Sequence, residues 1–375
     1  RLHRAGAPGA EAVRRAVVEA LAEGEAEAEA AAVGGGEGAE EEEGAAQLAA
    51  QQRVYQAIFE DEVTRSYAPP RASRRRVLKC ILTELESGNM VEVDDDLFGA
   101  CVEGLRDRGS GGEDACDTTT GVAFDGYRTL EVPGAGCVVL RVTSHMGGAA
   151  ETGCLLWTAG CAFFGLAAVG ALDEHVRGHV LELGAGTGVA GLSLARRGGS
   201  LARLTLTDGM PAVVENLRHN VAATAGLAAL GVPVEVELLE WGDKQQPWMA
   251  DHLVDVIVGT DLVYDLAAIP LLVGLLKRLL QPAGSASAAI LALARRNVAT
   301  VGLFFEALAA GGLQCEELAF SSETWRQVRG WASLAQDFGA LQVGRDDPDD
   351  EGVEGSPPLG VHVLRICCRG EGTAA

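Results

Sequence analysis

The pattern of apolar and polar positions in the C-terminal part of the chain alternates between short strands and helices. Residues 180–183 form an apolar run, interrupted by Glu182 and ended by glycines at 184, 186 and 188; a helix is predicted over 189–197. Apolar runs at 204–207, 234–239, 254–259 and 286–293 predict four further strands, and helix-periodic segments at 210–225, 269–280 and 299–310 lie between and after them. Two late strands are expected at 313–319 and 361–367. Such alternation implies a parallel sheet covered by helices on both faces. The polar, acidic stretch 321–360 reads as a surface insertion.

Upstream, the strand formers Tyr127, Thr129, Val132, Val138 and Val139 flank Pro133-Gly-Ala-Gly136, which predicts a β-hairpin over 127–143. Pro133 has no N–H for the ladder and suits the turn. An apolar helix over 154–169, carrying Trp157, follows Thr152-Gly153. Residues 48–67 place Val54, Ile58 and Phe59 at helical spacing, and Pro69-Pro70 stops that helix. Arg71, Arg74, Arg75, Arg76 and Lys79 lead a second helix and are read as a solvated helix start rather than a contact for an acidic partner or RNA. A third helix is expected at 94–105 and a linker at 109–117. Residues 25–46, mostly Glu, Ala and Gly, lack the apolar content to order themselves. The expected division is therefore a disordered acidic tail at 1–47, a helical accessory region with linker at 48–125, and an α/β domain at 126–375.

Composition narrows the partners. Hydrophobic residues make up 48% of the 375, enough for a sizeable core, and the formal net charge is −23. That charge argues against direct nucleic-acid binding through phosphate neutralisation and suits a basic protein partner. Nine cysteines without a CxxC pair fit neither a disulfide framework nor a metal site, so reduced thiols in the cytoplasm are expected. No apolar run is read as a membrane span. Arg1, Arg4, Arg14 and Arg15 leave a transit-peptide reading open beside the favoured one of an ordinary helix or tail.

The chemistry gathers where strands end. In an open α/β sheet, ligands sit at the carboxyl ends of the strands, which here carry Gly184, Ala185, Gly186 and Gly188, then Asp208, Trp241, and Asp261 with Tyr264. Bare glycine backbone lets a ligand approach, and the N–H groups of the following helix point at it. The glycines alone are ambiguous, since Gly186-Thr-Gly188-Val-Ala-Gly191 also satisfies the dinucleotide fingerprint. Glu182 inside the strand, an aromatic after the third strand, and a carboxylate–phenol pair after the fourth favour S-adenosylmethionine over NAD. Asp208 is expected on ribose hydroxyls rather than as a plain helix cap, Trp241 beside adenine rather than in the core, and Asp261 near the reaction centre. Trp157 stands equally as a wall of the methionine end or as core. Cys154 and Cys161 are expected to be inert.

Together, Thr152-Gly-Cys-Leu-Leu-Trp157, Glu182-Leu-Gly-Ala-Gly-Thr-Gly188, Asp208, Asn216, Asn220, Glu240-Trp-Gly-Asp243 and Asp261-Leu-Val-Tyr264 resemble methyltransferase family 16. The resemblance spans roughly 125–320 and the final strand. It implies a Rossmann-like class I methyltransferase fold with a seven-stranded, mostly parallel sheet, and S-adenosylmethionine-dependent methylation of protein lysine. It implies that Asp261 and Tyr264 serve the methyl donor and target lysine. Ser66-Tyr-Ala-Pro-Pro70, the segment 73–86 and Ala294-Arg-Arg-Asn297 resemble, more loosely, the elongation factor 2 lysine methyltransferases, which implies that factor as partner. Another protein lysine (on calmodulin or a chaperone), a small-molecule acceptor, a non-catalytic adaptor and a dinucleotide oxidoreductase stay open as alternatives.

Overall fold

The computed structural model describes residues 19–21, 39–87, 92–106, 117–243, 253–280, 286–294, 298–332 and 360–368. Two compact units divide the chain: Arg1–Ala115 with Phe124–Leu130, and Cys116–Ala123 with Glu131–Ala375.

The first unit is helical. Its described elements are α1 (Ala39–Tyr55), a π-helical turn (Gln56–Glu60), α2 (Glu62–Ser66), α3 (Arg71–Leu85) and α4 (Asp95–Arg106). The α3 sequence buries Val77, Leu78, Ile81 and Leu85 against Leu97 and Cys101 of α4, and Leu21 joins that core. Caps set the boundaries: the Asp61 carboxylate accepts from Thr64 N at 2.9 Å and Asp94 from Leu97 N at 2.8 Å. Buried Gln51 holds the entry to α4, donating to Glu92 O at 2.9 Å and accepting from Asp94 N at 2.8 Å. Order begins earlier than the composition suggested, because residues 39–46 already belong to α1 and Gln47 is buried. The basic residues of α3 are half-buried or exposed, and Arg75 donates to Leu105 O at 2.6 Å, so part of that run braces α4. The linker at 109–117 falls outside the described residues up to Asp117.

The hairpin forms as expected from β1 (Gly126–Val132) and β2 (Gly136–Val142). The second unit then runs α5 (Ala149–Gly153), α6 (Thr158–Ala168), β3 (Gly178–Leu183), α7 (Val189–Arg197), β4 (Leu201–Asp208), α8 (Pro211–Leu227), β5 (Val234–Leu238) and β6 (Val256–Thr260). It continues with α9 (Ile269–Leu280), β7 (Ala288–Ala294), α10 (Val298–Ala310), β8 (Leu313–Glu317), α11 (Ser322–Ala332) and β9 (Val361–Cys368). The seven strands are ordered β5-β4-β3-β6-β7-β9-β8; the first five are parallel, and β9 runs antiparallel to both β7 and β8. The parallel sheet is the one the alternation implied, and the whole is the Rossmann-like class I methyltransferase fold that the resemblance implied.

Its central strands are covered on both faces, which explains their near-continuous apolar sequence. Pro211 at the first turn starts α8, where its missing N–H costs nothing. Arg196 and Arg197 close the last turn of α7 at the negative end of its dipole. Chain order reverses between β3 and β6, and that switch point opens a crevice at the carboxyl edge.

Three expectations need correction. The stretch from 321 is no mere surface insertion: α11 buries Trp325 and Val328, and Val328 and Trp331 pack so closely on α6 that a Cβ at Gly165 would lie 2.8 Å from Val328. Residues 333–359 fall outside the described residues. The apolar helix at 154–169 is shorter than expected, because the chain breaks at residues 154–157 and Trp157 stands at the N-cap of α6 rather than on it. Residues Ala149–Ala168 are long and apolar enough to cross a membrane by length and composition, against the expectation of no such run, but they are split into α5 and the buried core helix α6.

Candidate functional site

A cleft of about 1080 Å³ opens over the switch point. Gly184, Ala185 and Gly186 form its floor, Trp157 and Gly153 one wall, and Asp208, Trp241, Asp261 and Tyr264 its rim.

The glycine turn is needed for its geometry. Gly184 and Gly186 have φ of +55° and +56°, where a side chain is strained. A Cβ on Gly184 would lie 2.6 Å from Leu262 Cδ2, and one on Gly186 would lie 2.9 Å from Gly153 O. The segment before α6 thus passes against the turn backbone to backbone, and Gly153 itself lies so close to α8 that a Cβ there would be 2.5 Å from Val213 Cγ2. Ala185 N donates to Thr207 O at 2.8 Å, and Thr207 Oγ1 to Glu182 O at 2.6 Å, tying the turn to β4.

Asp208 ends β4. Its Oδ2 accepts from Gly186 N at 3.2 Å and its Oδ1 from Met210 N at 3.0 Å, so it closes the tight turn that leads to α8 and braces the glycine turn. Burial nevertheless raises its pKa. Leu239 N donates to Asp208 O at 2.9 Å, which brings the turn with Trp241 beside the carboxylate. Trp241 is half-buried and faces the cleft. Trp157 also lines the cleft, its indole N–H donating to Thr152 O at 3.0 Å.

Asp261 is a non-glycine residue with positive φ, +52°, and its carboxylate explains why that strain is tolerated. Oδ2 accepts from Ala159 N at the start of α6 at 3.1 Å, and Oδ1 from Ala294 N at the end of β7 at 3.0 Å. One side chain therefore links a helix start and a strand end across the crevice. Tyr264, three residues on, is exposed at the mouth.

Glu182 and Gly188 do not line the cleft. Glu182 lies beneath the turn, fully buried, with both carboxylate oxygens lacking a hydrogen-bond partner; a Cβ on Gly191 would come within 2.2 Å of Oε2. Burial, aided by the nearby Asp208 charge, pushes its pKa up to about 8. Gly188 is the left-handed N-cap of α7 and abuts Leu217. Cys154 is buried and its thiol is pushed up to about 12, in keeping with an inert residue. Residues 295–297 of the Arg-Asn element fall outside the described residues.

Sequence reasoning passed over two supports. Asn220, quoted above only for its resemblance, is fully buried, accepts from Arg141 N at 2.7 Å and donates to Thr187 O at 2.9 Å; it ties hairpin strand β2 to the glycine turn. Asn216 accepts from Arg141 Nε at 2.9 Å, and Arg141 also pairs with Asp117 at 3.0 Å. Two Asn one helical turn apart on an amphipathic helix were the available signal. Met146, Leu239 and Thr300 line the cleft without any sequence signature.

Bare glycine backbone, a carboxylate at the second strand end and an aromatic at the third suit a nucleoside ligand whose ribose and adenine, rather than phosphates, are gripped. The fold is that of the class I methyltransferases. Residues 138–310 match the lysine methyltransferase family model. The chain is 33% identical over 143 residues to EEF1A lysine methyltransferase 3 of Xenopus tropicalis, covering 38% of this chain and 59% of that protein. It is 27% identical over 297 residues to protein-lysine N-methyltransferase EFM3 of Chaetomium thermophilum, covering 75% and 85%. Human protein-lysine N-methyltransferase EEF2KMT is 28% identical over 251 residues, covering 64% and 71%. The chain spans 59% and 42% of the lengths of the Xenopus and mouse EEF1A lysine methyltransferase 3 proteins.

Proposed function

We propose that the protein is an S-adenosylmethionine-dependent protein-lysine N-methyltransferase, acting in the cytoplasm on elongation factor 2. The observation that carries the reading is the single cleft in which Gly184, Gly186, Asp208, Trp241, Asp261 and Tyr264 converge from four separate stretches of chain. The residues present fit the donor. The floor is bare backbone that a Cβ would fill, Asp208 offers carboxylate lone pairs to ribose hydroxyls, and Trp241 offers a face to adenine.

Bound S-adenosylmethionine would supply a methyl group on a sulfonium centre. The chain's own work is positioning and desolvation. The carboxylates Asp208, Glu240, Asp243 and Asp261 line the cleft, and among the described residues no Lys, Arg or His does, which suits cationic groups. A lysine attacks only as the neutral amine, and its ordinary pKa of about 10.4 falls on entering a desolvated site beside a positive charge. Asp261, fixed from two sides, and Tyr264 at the mouth orient that amine. No residue of this set needs a metal for such a transfer.

The choice of elongation factor 2 rests on the resemblance of residues 66–86. It also rests on the similarity to EEF2KMT, which extends beyond residues 138–310. Elongation factor 1A is the second reading, favoured by the higher identity to EEF1A lysine methyltransferase 3 over a shorter stretch. Purified protein with methyl-labelled S-adenosylmethionine and each factor in turn, followed by peptide mapping, decides the matter. Label on a lysine of elongation factor 2 supports the reading, label on elongation factor 1A alone moves the substrate, and label on neither removes both.

A further inference from the structure

The mouth of the cleft carries more apolar surface than a cofactor site needs. Tyr264 is 72% exposed, Leu266 56% and Val298 69%, and Met146, Met210 and Leu271 are also exposed large apolar side chains. All six lie on segments that leave the carboxyl edge of the sheet or lead into the cleft wall: Met146 before α5, Met210 after β4, Tyr264 and Leu266 after β6, Leu271 at the start of α9, and Val298 at the start of α10. Four of them line the cleft itself, and Val298 stands just before Thr300, which also lines it. Exposed apolar patches around a cleft mark contact surfaces rather than chance.

Among the described residues, charge at the same mouth has one sign: Glu240, Asp243 and Asp265 are exposed there, and no described residue of the cleft lining is basic. A partner that buries the apolar collar therefore meets a ring of acids around it.

We propose that this collar docks the acceptor directly: a protein segment that presents its lysine beside apolar side chains and without acidic neighbours. This rests on the lysine methyltransferase reading and specifies what that site selects. The apolar neighbours of the lysine would cover Leu266 and Val298, while the ammonium is drawn inward by the carboxylates of the cleft. Acidic flanks would face Asp243 and Asp265 and be rejected. Electrostatic rejection of this kind sets specificity more than it sets affinity.

The test uses the full chain and a double variant, Leu266→Ser with Val298→Ser; neither residue lines the cleft. Labelled S-adenosylmethionine is supplied with total cell-lysate protein, and binding of S-adenosylhomocysteine is measured in parallel. The expected result is a fall in methyl transfer of about tenfold or more, the scale of losing apolar anchors from a contact, with S-adenosylhomocysteine affinity unchanged. Unchanged transfer to protein, with the wild type active, would overturn the docking proposal and leave the enzyme reading intact. Wild-type protein that labels nothing would remove the reading and the docking proposal together. Should the collar instead hold a second copy of this chain, sedimentation would show a wild-type dimer that the double variant dissociates while transfer continues, which also overturns the proposal.

Discussion

The two halves of the cleft rim are built on opposite principles. On the β3–β4 side the strain sits where glycines are, at Gly184 and Gly186, and the carboxylate of Asp208 bonds within its own neighbourhood, to Gly186 N and Met210 N. On the β6–β7 side the strain sits on an aspartate, and Asp261 reaches Ala159 and Ala294, 102 and 33 residues away in sequence. The first side depends on backbone conformations that glycine supplies, fastened to β4 and α8. The second depends on a non-glycine held at positive φ only once α6, β6 and β7 are assembled. On the proposed reading, the donor side is thus set by backbone conformation, and the transfer side by tertiary contacts focused on one carboxylate.

The largest effect should follow from breaking the assembled side. Asp261→Ala leaves two backbone donors without their acceptor, a cost of about 1–3 kcal/mol each, and keeps a non-glycine at positive φ. Methyl transfer should fall about a hundredfold or more, the penalty of misplacing reacting groups by an ångström or so, and the melting temperature should drop. Asp261→Asn retains one oxygen acceptor and should lie between. Equal stability and rate in all three proteins would show that Asp261 is not the link described. Asp261→Gly removes the φ strain but not the lost bonds, so it should recover stability over alanine without recovering rate.

The local side should break differently. Gly186→Ala places a Cβ 2.9 Å from Gly153 O, at a φ that costs a side chain about 1–2 kcal/mol. Calorimetric affinity for S-adenosylhomocysteine should weaken by about tenfold or more, while rate at saturating donor suffers less than with Asp261→Ala. A variant that binds the donor product as the wild type does would sever the glycine turn from the ligand.

The smallest effect is read in stability against pH. Glu182, buried beneath the turn, titrates near 8 in the folded protein, whereas the unfolded chain releases that proton in the ordinary carboxylate range. Its contribution is therefore greatest at low pH and is lost as pH rises towards 8. His219, its pKa depressed by burial, acts oppositely but only below its ordinary 6.5. From 6.5 to 8 the protein should lose about 2 kcal/mol on account of Glu182, measured by denaturant unfolding, and Glu182→Gln should flatten that slope. A slope that persists in the glutamine variant assigns it to another group.

The same contrast explains what could be read in advance. The parallel sheet, hairpin and glycine turn were legible because periodicity and turn chemistry are local. Asp208, Trp241 and Asp261 were legible because each closes a predicted strand, where the fold gathers ligand contacts. The strand-internal Glu182 was expected at the ligand, but a strand that buries both faces turned it under the turn against Gly191. The packing of α11 on α6 was hidden because its surroundings are polar and its own apolar positions, Trp325, Val328 and Trp331, are few. The double grip of Asp261 was beyond reach, since neither Ala159 N nor Ala294 N has a side-chain signature.

The central claim is that the cleft over the β3–β6 switch point is built for S-adenosylmethionine rather than a dinucleotide. Isothermal titration of the purified chain with S-adenosylhomocysteine and, separately, with NAD tests it most directly. One-to-one binding of S-adenosylhomocysteine, weakened by about tenfold or more in Gly186→Ala, with no heat from NAD, is the predicted result. Binding of NAD without binding of S-adenosylhomocysteine would contradict it.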